Sequence, residues 1–488
     1  MKTPSLKKNF IVYLIRTLVA SLSPLIMFPY ASRVLGVDGI GKVQYAQSIA
    51  MYFELLAALG IHSYGVREGA KVRDDPAKLG KLVTELLTVN LGASAVALVL
   101  YGGVIFTVPG LQSYRALLVL FALEVVFSGV AFDWFYNILE DYTYISVRTV
   151  LFQVISFAVL FLFVRDEGDF FWYAVTLVLP FVLTSVTNLA HSRRLVRLFG
   201  YGHYHYGRHL KGALLVFAIV LSTSLYTMLD TTMLGAMVGD TAVGLYTAAS
   251  KLNRLAVKLV TAICAVFLPR LAVLRAKADR EGFQKLAGVA GNIILGLATP
   301  LAVGLWILAP EAIELFSGSE FMAAVPAMRV MCVDLLFSSL NGFVAWQILM
   351  PSGLEKKLFA ATLAGGATDF VLNLLFIGWW GVEGAAAATV LSEVVVLALC
   401  VWGGRSALDF PALARCFWQY VLACVPFFAV RWAVGLLVSG TIAVTACTVV
   451  PCAALYFAIL LALRNPYLVQ LADDFRAFLY RRKKNRRS

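Results

Sequence analysis

From Ile11 onward the chain is a succession of long apolar runs separated by short polar breaks. A helix that crosses the ~30 Å hydrocarbon core of a bilayer needs about 20 predominantly apolar residues. Each run meets that length, so each reads as a membrane span. Fourteen are expected, with approximate limits 11–36, 39–65, 82–107, 114–138, 144–164, 170–192, 212–237, 242–268, 286–308, 325–349, 357–378, 380–402, 414–437 and 441–463. The breaks fall at glycine, proline and charge clusters, as turns do. The shortest joints are those at 36–39 and 378–380. The fold class is therefore an all-α polytopic membrane protein.

One run departs from the pattern. AVGLYTAASKLNRLAVKLVTAICAVFL, residues 242–268, is long enough to span but carries Lys251, Arg254 and Lys258. Spacings of three and four put all three cations on one helix face. A charge at mid-membrane costs at least ~2.5–3.5 kcal/mol, so such residues face protein or a wet cavity and commonly mark a substrate path. Two readings compete: a cationic translocation path, or buried ion pairs that hold helices together. No acidic stripe of matching size occurs elsewhere, which favours the path. Arg16 and Arg148 also lie mid-span and are candidates to share it.

Charge outside the spans sets the orientation. Of 41 Lys and Arg, 30 fall in the N-terminal tail, the C-terminal tail and the connections on one side. The opposite connections hold only Arg165, together with Asp38, Asp166, Glu167, Asp169, Asp240, Glu311, Glu314 and Glu320. The positive-inside rule then places both termini in the cytoplasm. The net charge of +13 is thus a topology signal, and no nucleic-acid partner is expected. The basic tail YRRKKNRRS follows an amphipathic piece, VQLADDFRAFLY, and is read as an anchor on the anionic leaflet. No cleavable signal peptide is read at the N-terminus. The seven cysteines lack CxxC spacing and read as reduced packing residues. His203, His205 and His209 in HYHYGRH lack a fixed fourth ligand, so a solvated loop is preferred to a metal site.

Two short matches suggest a duplication. VLGVDGIGKVQYAQSI (34–49) resembles MLGAMVGDTAVGLYTAASKL (233–252) at an offset of 203, aligning Gly41 with Gly244. FSGVAFDWFYNIL (127–139) resembles FSSLNGFVAWQIL (337–349) at an offset of 210. A unit of six helices repeated in parallel would give two pseudo-symmetric lobes around a central cavity. The expected divisions are an N-lobe at 1–200, a C-lobe at 201–405, two extra helices at 406–465 and a basic tail at 466–488.

Buried acids are candidates for ion coupling or for pairing with cavity cations. Glu54 has no obvious mate in adjacent spans and is a coupling candidate. Asp230 is either a coupling group or the partner of Lys251 or Arg254. Glu124, Asp133, Asp369 and Glu393 are further mid-span acids. No cofactor or metal is expected, and coupling to Na⁺ or H⁺ is left open.

The stretch PLIMFPYASRVLGVDGIGKVQYAQSIAMYFELLAALGIHSYGVREGAKVRDD (24–75) resembles the opening of Wzx-type polysaccharide flippases. The resemblance is carried by Pro24, Pro29, Tyr30, Arg33, Gly36, Gly39, Gly41, Gly60, Arg67, Glu68, Arg73 and Asp74, and again by VGLYTAASKLNRL and FLPRL at 267–271. It implies the exporter superfamily that also holds multidrug exporters and lipid II flippases, a non-enzymatic function, and alternating access. The implied substrate is a polyprenyl-pyrophosphate-linked oligosaccharide moved from the inner to the outer leaflet of the bacterial cytoplasmic membrane. The polymer would be O-antigen, capsule or exopolysaccharide. A polysaccharide polymerase and a chain-length regulator would be further partners. The alternatives are a lipid II flippase, a multidrug exporter, whose cationic drugs the 251/254/258 stripe would repel, and a membrane polymerase, for which the outer connections are short.

Overall fold

The computed structural model describes residues 6–407 and 416–467. It is helical throughout, with no strand among the described residues. In chain order the helices are α1 (Leu6–Ala58), α2 (Ile61–Ala70), α3 (Pro76–Thr107), α4 (Arg115–Ser128), α5 (Asp133–Ile138), α6 (Tyr142–Phe163), α7 (Phe170–Leu195), α8 (Tyr206–Met237), α9 (Asp240–Thr261), α10 (Cys264–Ala276), α11 (Arg280–Ile307), α12 (Ala309–Ser317), α13 (Val325–Phe343), α14 (Glu355–Gly404), α15 (Phe417–Cys424), α16 (Pro426–Leu437) and α17 (Thr441–Ala462). The basic amphipathic tail expected near the C-terminus lies outside the described residues beyond Tyr467.

Ten stretches are long and apolar enough to cross a membrane, or eleven if Asp240–Thr261 and Val266–Ala276 form one bent span. Two of the ten, Leu22–Ala70 and Glu355–Gly404, are 49 and 50 residues long. At ~1.5 Å per residue a straight helix of that length would reach about 75 Å, more than twice the hydrocarbon core. Both are interrupted at a glycine in a conformation that L side chains resist: Gly36 at φ 65° and Gly381 at φ 54°. Beyond Gly381 the chain doubles back, since a Cβ on Gly384 would lie 2.0 Å from the Phe376 carbonyl oxygen. These breaks coincide with the two short joints in the sequence. The expected count of fourteen is higher than ten because it divides both stretches and adds 212–237 and the bent span at 242–268.

Polar ends are capped where the chain re-enters helix. Asp75 accepts from the Ala77 and Lys78 amides at 3.1 Å each ahead of α3, and Pro76 supplies the first turn. The Lys78 amide and ammonium hold the Asp75 carboxyl below the usual carboxylate range. Asp141 and Asp279 cap α6 and α11 in the same way.

The chain divides into two compact units, Met1–Thr247 and Ala248–Ser488. Within the first, a core of Leu59, Tyr64, Leu86, Phe132, Trp134, Phe135 and Tyr136 joins α2, α3 and α5. Within the second, Phe283, Ala290, Ile294, Phe343 and Ile348 form a core that α15 and α17 extend through Tyr420 and Tyr456. The Tyr456 hydroxyl donates to the Gly296 carbonyl at 2.6 Å, and Thr441 donates to Glu314 at 2.7 Å. Arg431 of α16 is ion-paired with Glu311 of α12. The two extra spans are therefore docked on α11 and α12. Away from these cores the surface is apolar, as a lipid-facing surface must be: Val99 is 75% exposed and Leu437 is 84% exposed.

In the first unit the matched turns of the sequence repeat meet each other. A Cβ on Gly41 would fall 1.9 Å from the Asp240 carbonyl oxygen, and one on Gly244 would fall 2.2 Å from the Val37 carbonyl oxygen. Val37 and Asp240 are 203 positions apart, as are Gly41 and Gly244. The two contacts are thus images of one another, the signature of a local two-fold relation. Asp38 and Thr241, also 203 apart, join directly: the Thr241 hydroxyl donates to Asp38 Oδ1 at 2.6 Å. The second matched pair is irregular in both copies. The chain breaks at Gly129–Phe132 before the short α5, and forms a wide turn at Val344–Leu349 after α13. Gly41→Ala is expected to destabilise the protein by about 1–3 kcal/mol, the cost of overpacking against a backbone that cannot rotate away. Thermal unfolding in detergent checks this against Gly102→Ala, where a Cβ meets nothing within 4 Å. Equal midpoints for both variants would contradict the close approach.

Candidate functional site

The helix that carries Lys251, Arg254 and Lys258 is α9. The expected uninterrupted span at 242–268 is broken: α9 stops at Thr261 and the chain resumes as α10, with a bend of 51° between Asp240–Thr261 and Val266–Ala276. Pro269 within α10 removes a backbone donor just beyond this break. Counted from the turn at Asp240 at ~1.5 Å per residue, Lys251 lies about 16 Å along the helix and Lys258 about 27 Å. The cations therefore run from mid-span toward the end that bears the basic connections, rather than clustering at the centre.

The rotation of α9 is fixed by its opposite face. Asn253 Nδ2 donates to Asp334 Oδ2 of α13 at 2.7 Å, and Ser338 donates to Asp334 Oδ1 at 2.9 Å. Asn253, Ala256 and Val260 are all buried. At 100° per residue, their face lies about 160° from the face of Lys251, Arg254 and Lys258. Within that cationic face Lys251 is half-buried, with its charge interacting with that of Arg254, while Arg254 and Lys258 are exposed. Lys258 also occupies the last turn of α9, where the carbonyl end of the helix favours a cation. A guanidinium and an ammonium on one helix face are the chemical groups that suit oxyanions, the guanidinium through its fork of N–H donors.

Arg148 is placed differently. It is 5% exposed, and its guanidinium donates to Asp133 Oδ1 at 2.8 Å and to Asn188 Oδ1. Asn188 Nδ2 in turn donates to Asp133 Oδ1 at 3.0 Å. Tyr144 packs its ring 5.5 Å from the guanidinium carbon. Arg148 therefore ties α6 to α5 and α7 inside the first unit, and is not presented on an open face. The Arg16 side chain lies outside the described residues.

Of the acids, Asp230 is buried and accepts from the Tyr246 hydroxyl of the next helix. Glu54 of α1 lies near Glu124 of α4, close enough for their charges to interact. Glu54 has no ion-pair partner among the described residues. The ring of Tyr101, 4.9 Å from that of Phe53, stands at the same place on α3 and feels the Glu124 charge. The loop HYHYGRH is not fully solvated as expected. His209 is buried, with Nε2 2.9 Å from Glu85 Oε2 and Nδ1 3.0 Å from the Tyr64 hydroxyl. Asp334 and Glu85 were not singled out in the sequence. Each sits one or two residues from apolar neighbours, and only the partner's position reveals its role.

The described residues match a family model, that of the polysaccharide biosynthesis proteins, over residues 6–275. A protein of Shigella dysenteriae named "Putative O-antigen transporter" is 22% identical over 398 residues, covering 80% of this chain and 98% of the relative. A flippase of Haloferax volcanii, named as the probable flippase AglR, is 31% identical over 181 residues, covering 36% of this chain and 37% of the relative. The solved structure of the lipid II flippase MurJ, in an inward closed conformation, superposes with a TM-score of 0.76 at 13% identity, covering 93% of this chain and 99% of MurJ. At that identity the likeness establishes the fold alone. The family match spans more than half of the chain, and the chain belongs to the polysaccharide biosynthesis protein family.

Proposed function

We propose that this protein is a flippase that carries polyprenyl-pyrophosphate-linked oligosaccharide units from the inner to the outer leaflet of the bacterial cytoplasmic membrane. Its termini would be cytoplasmic, and the glycan would serve surface polysaccharide synthesis. The observation that carries the reading is the cationic face of α9, turned away from the helix's buried face. A pyrophosphate offers that face several charged oxygens at one site. Arg254 and Lys258 are proposed to make first contact, and Lys251 to receive the head deeper in the span. The family, and relatives named as O-antigen transporter and flippase, support the same substrate class. A multidrug exporter of amphiphilic cations would find this face repulsive.

Transport is proposed to follow alternating access, in which one arrangement of helices closes one side while the other opens. The Gly41–Asp240 and Gly244–Val37 contacts would form the closure on the acidic side. Arg148 would act through Asp133 and Asn188, holding α5, α6 and α7 together as a body, and would meet substrate only where that network opens. Arg16 is proposed for the same path. Glu54 and Asp230 are proposed as groups that take up a coupling H⁺ or Na⁺. A polysaccharide polymerase and a chain-length regulator are proposed as partners downstream.

Three measurements follow. In proteoliposomes bearing a fluorescent polyprenyl-pyrophosphate oligosaccharide, Lys251→Ala/Arg254→Ala/Lys258→Ala is expected to fold and to lose transfer by at least about 100-fold, since each charge-assisted contact is worth ~1.5–3 kcal/mol. Equal transfer by wild type and variant would make the face structural. Asp133→Ala is expected to lower unfolding stability by about 2–3 kcal/mol, below the ~3–5 kcal/mol of a fully buried pair because Asp133 is 35% exposed. Asp133→Ala/Arg148→Met should recover most of it, and no recovery would mean the pair is not the source. Glu54→Gln is expected to abolish dependence of transfer on an imposed proton gradient while leaving gradient-free exchange intact; unchanged gradient dependence would remove Glu54 from coupling.

A further inference from the structure

A cavity in the first unit is built from residues outside α9. It has a volume of about 530 Å³ and is bounded by α3, the end of α7 and the loop that follows. Leu87, Leu91, Leu189 and Phe199 form its apolar wall, and Arg193 and Arg197 stand at it. Arg193 is in the last turn of α7, whereas Leu87 and Leu91 are three and four turns into α3. Charge is therefore at the rim and hydrocarbon below it. Neither guanidinium has an ion-pair partner among the described residues, and both are exposed.

The loop wall is built rather than loose. Phe199 is held at φ 69° and Gly200 at φ 90°, a left-handed turn that costs a bulky residue such as Phe roughly 1–2 kcal/mol. It is sustained by two anchors on α3 and the loop. The Phe199 amide donates to the Thr84 hydroxyl at 3.1 Å, and the Tyr201 hydroxyl donates to the Arg197 carbonyl at 2.9 Å. Tyr201 in turn lies over Gly80, where a Cβ would come within 2.1 Å of its hydroxyl oxygen. The turn sets Phe199 and Arg197 on the same cavity.

We propose that this cavity binds an anionic phospholipid of the cytoplasmic leaflet, its phosphate at Arg193 and Arg197 and the start of one acyl chain against Leu87, Leu91, Leu189 and Phe199. Basic pockets between membrane helices on the cytoplasmic side recognise such headgroups. The leaflet rests on the proposed topology, in which the side rich in Lys and Arg is cytoplasmic. A volume of this size accommodates a headgroup with its first methylenes. The occupant we assign is a resident lipid.

The test is lipid retention by the full-length protein, read by native mass spectrometry with added phosphatidylglycerol, phosphatidylcholine or inorganic phosphate. Phosphatidylglycerol is expected to be retained in preference to phosphatidylcholine. Arg193→Gln/Arg197→Gln is expected to weaken its retention about 30-fold, the effect of two cations near an anionic surface. Arg194→Gln, exposed but outside the cavity, should leave it unchanged. Leu91→Trp, which fills the wall without removing charge, should also weaken it. Equal retention of both lipids, equal retention by the double variant, or occupancy by inorganic phosphate that displaces the lipid would each overturn the assignment. Lys251→Ala/Arg254→Ala/Lys258→Ala, which tests transport, is expected to keep full phospholipid retention. Loss there would move the bound lipid to α9 and overturn this site. Labelling of Arg194→Cys from outside intact cells would instead overturn the leaflet and leave the cavity's chemistry standing.

Discussion

The cost of placing charge in hydrocarbon governs this structure. A cation at the bilayer centre costs at least ~2.5–3.5 kcal/mol, and α9 carries three on one face that runs from mid-span toward the basic end. The helix meets the constraint by rotation. Asn253 is hydrogen-bonded to Asp334, Ala256 and Val260 are buried beside it, and the cations are carried round to the far side. Two further cations are held by partners. Arg148 is enclosed by Asp133, Asn188 and Tyr144, and Arg431 is paired with Glu311. Enclosure by Asp133 and Asn188 gives Arg148 a scaffold role, whereas a binding role is what we propose for the α9 face.

A second constraint is backbone approach. Gly41 and Gly244 admit carbonyls at distances that no side chain would tolerate, and they do so reciprocally. A contact made of backbone and two small residues is tightly shaped but buries little side-chain surface. It can be made or broken as a unit, which suits an arrangement with two discrete packings. The hydrogen bond from Thr241 to Asp38 lies at the centre of the reciprocal contact and adds direction to it.

Much of this was legible in the sequence because it depends on local pattern. The apolar runs gave the spans, and the joints at 36–39 and 378–380 anticipated the breaks at Gly36 and Gly381. The offset of 203 that paired Gly41 with Gly244 anticipated which turns are equivalent. What escaped depends on where distant residues meet. Periodicity put Lys251, Arg254 and Lys258 on one face but could not show that Arg148, also mid-span, is enclosed by Asn188 forty residues away. It gave no warning that α9 would stop at Thr261, since 242–268 holds no proline and no glycine beyond Gly244. Nor could it join His209 to Glu85 across 124 positions.

The central claim is that the open face of α9 is wet and attracts anions. The most direct measurement is the reaction rate of a thiol placed there, using Lys258→Cys in a background without the seven native cysteines and with Lys251 and Arg254 retained. An anionic and a cationic methanethiosulfonate reagent are compared, each normalised to Gly110→Cys in an exposed connection without neighbouring acids in sequence. The expected result is reaction with both reagents and an anion preference about ten-fold above the control, the factor that ~1.4 kcal/mol of attraction produces. An unreactive thiol, or one with no anion preference, would mean that the face is turned to lipid or neutralised by protein, and would contradict the account.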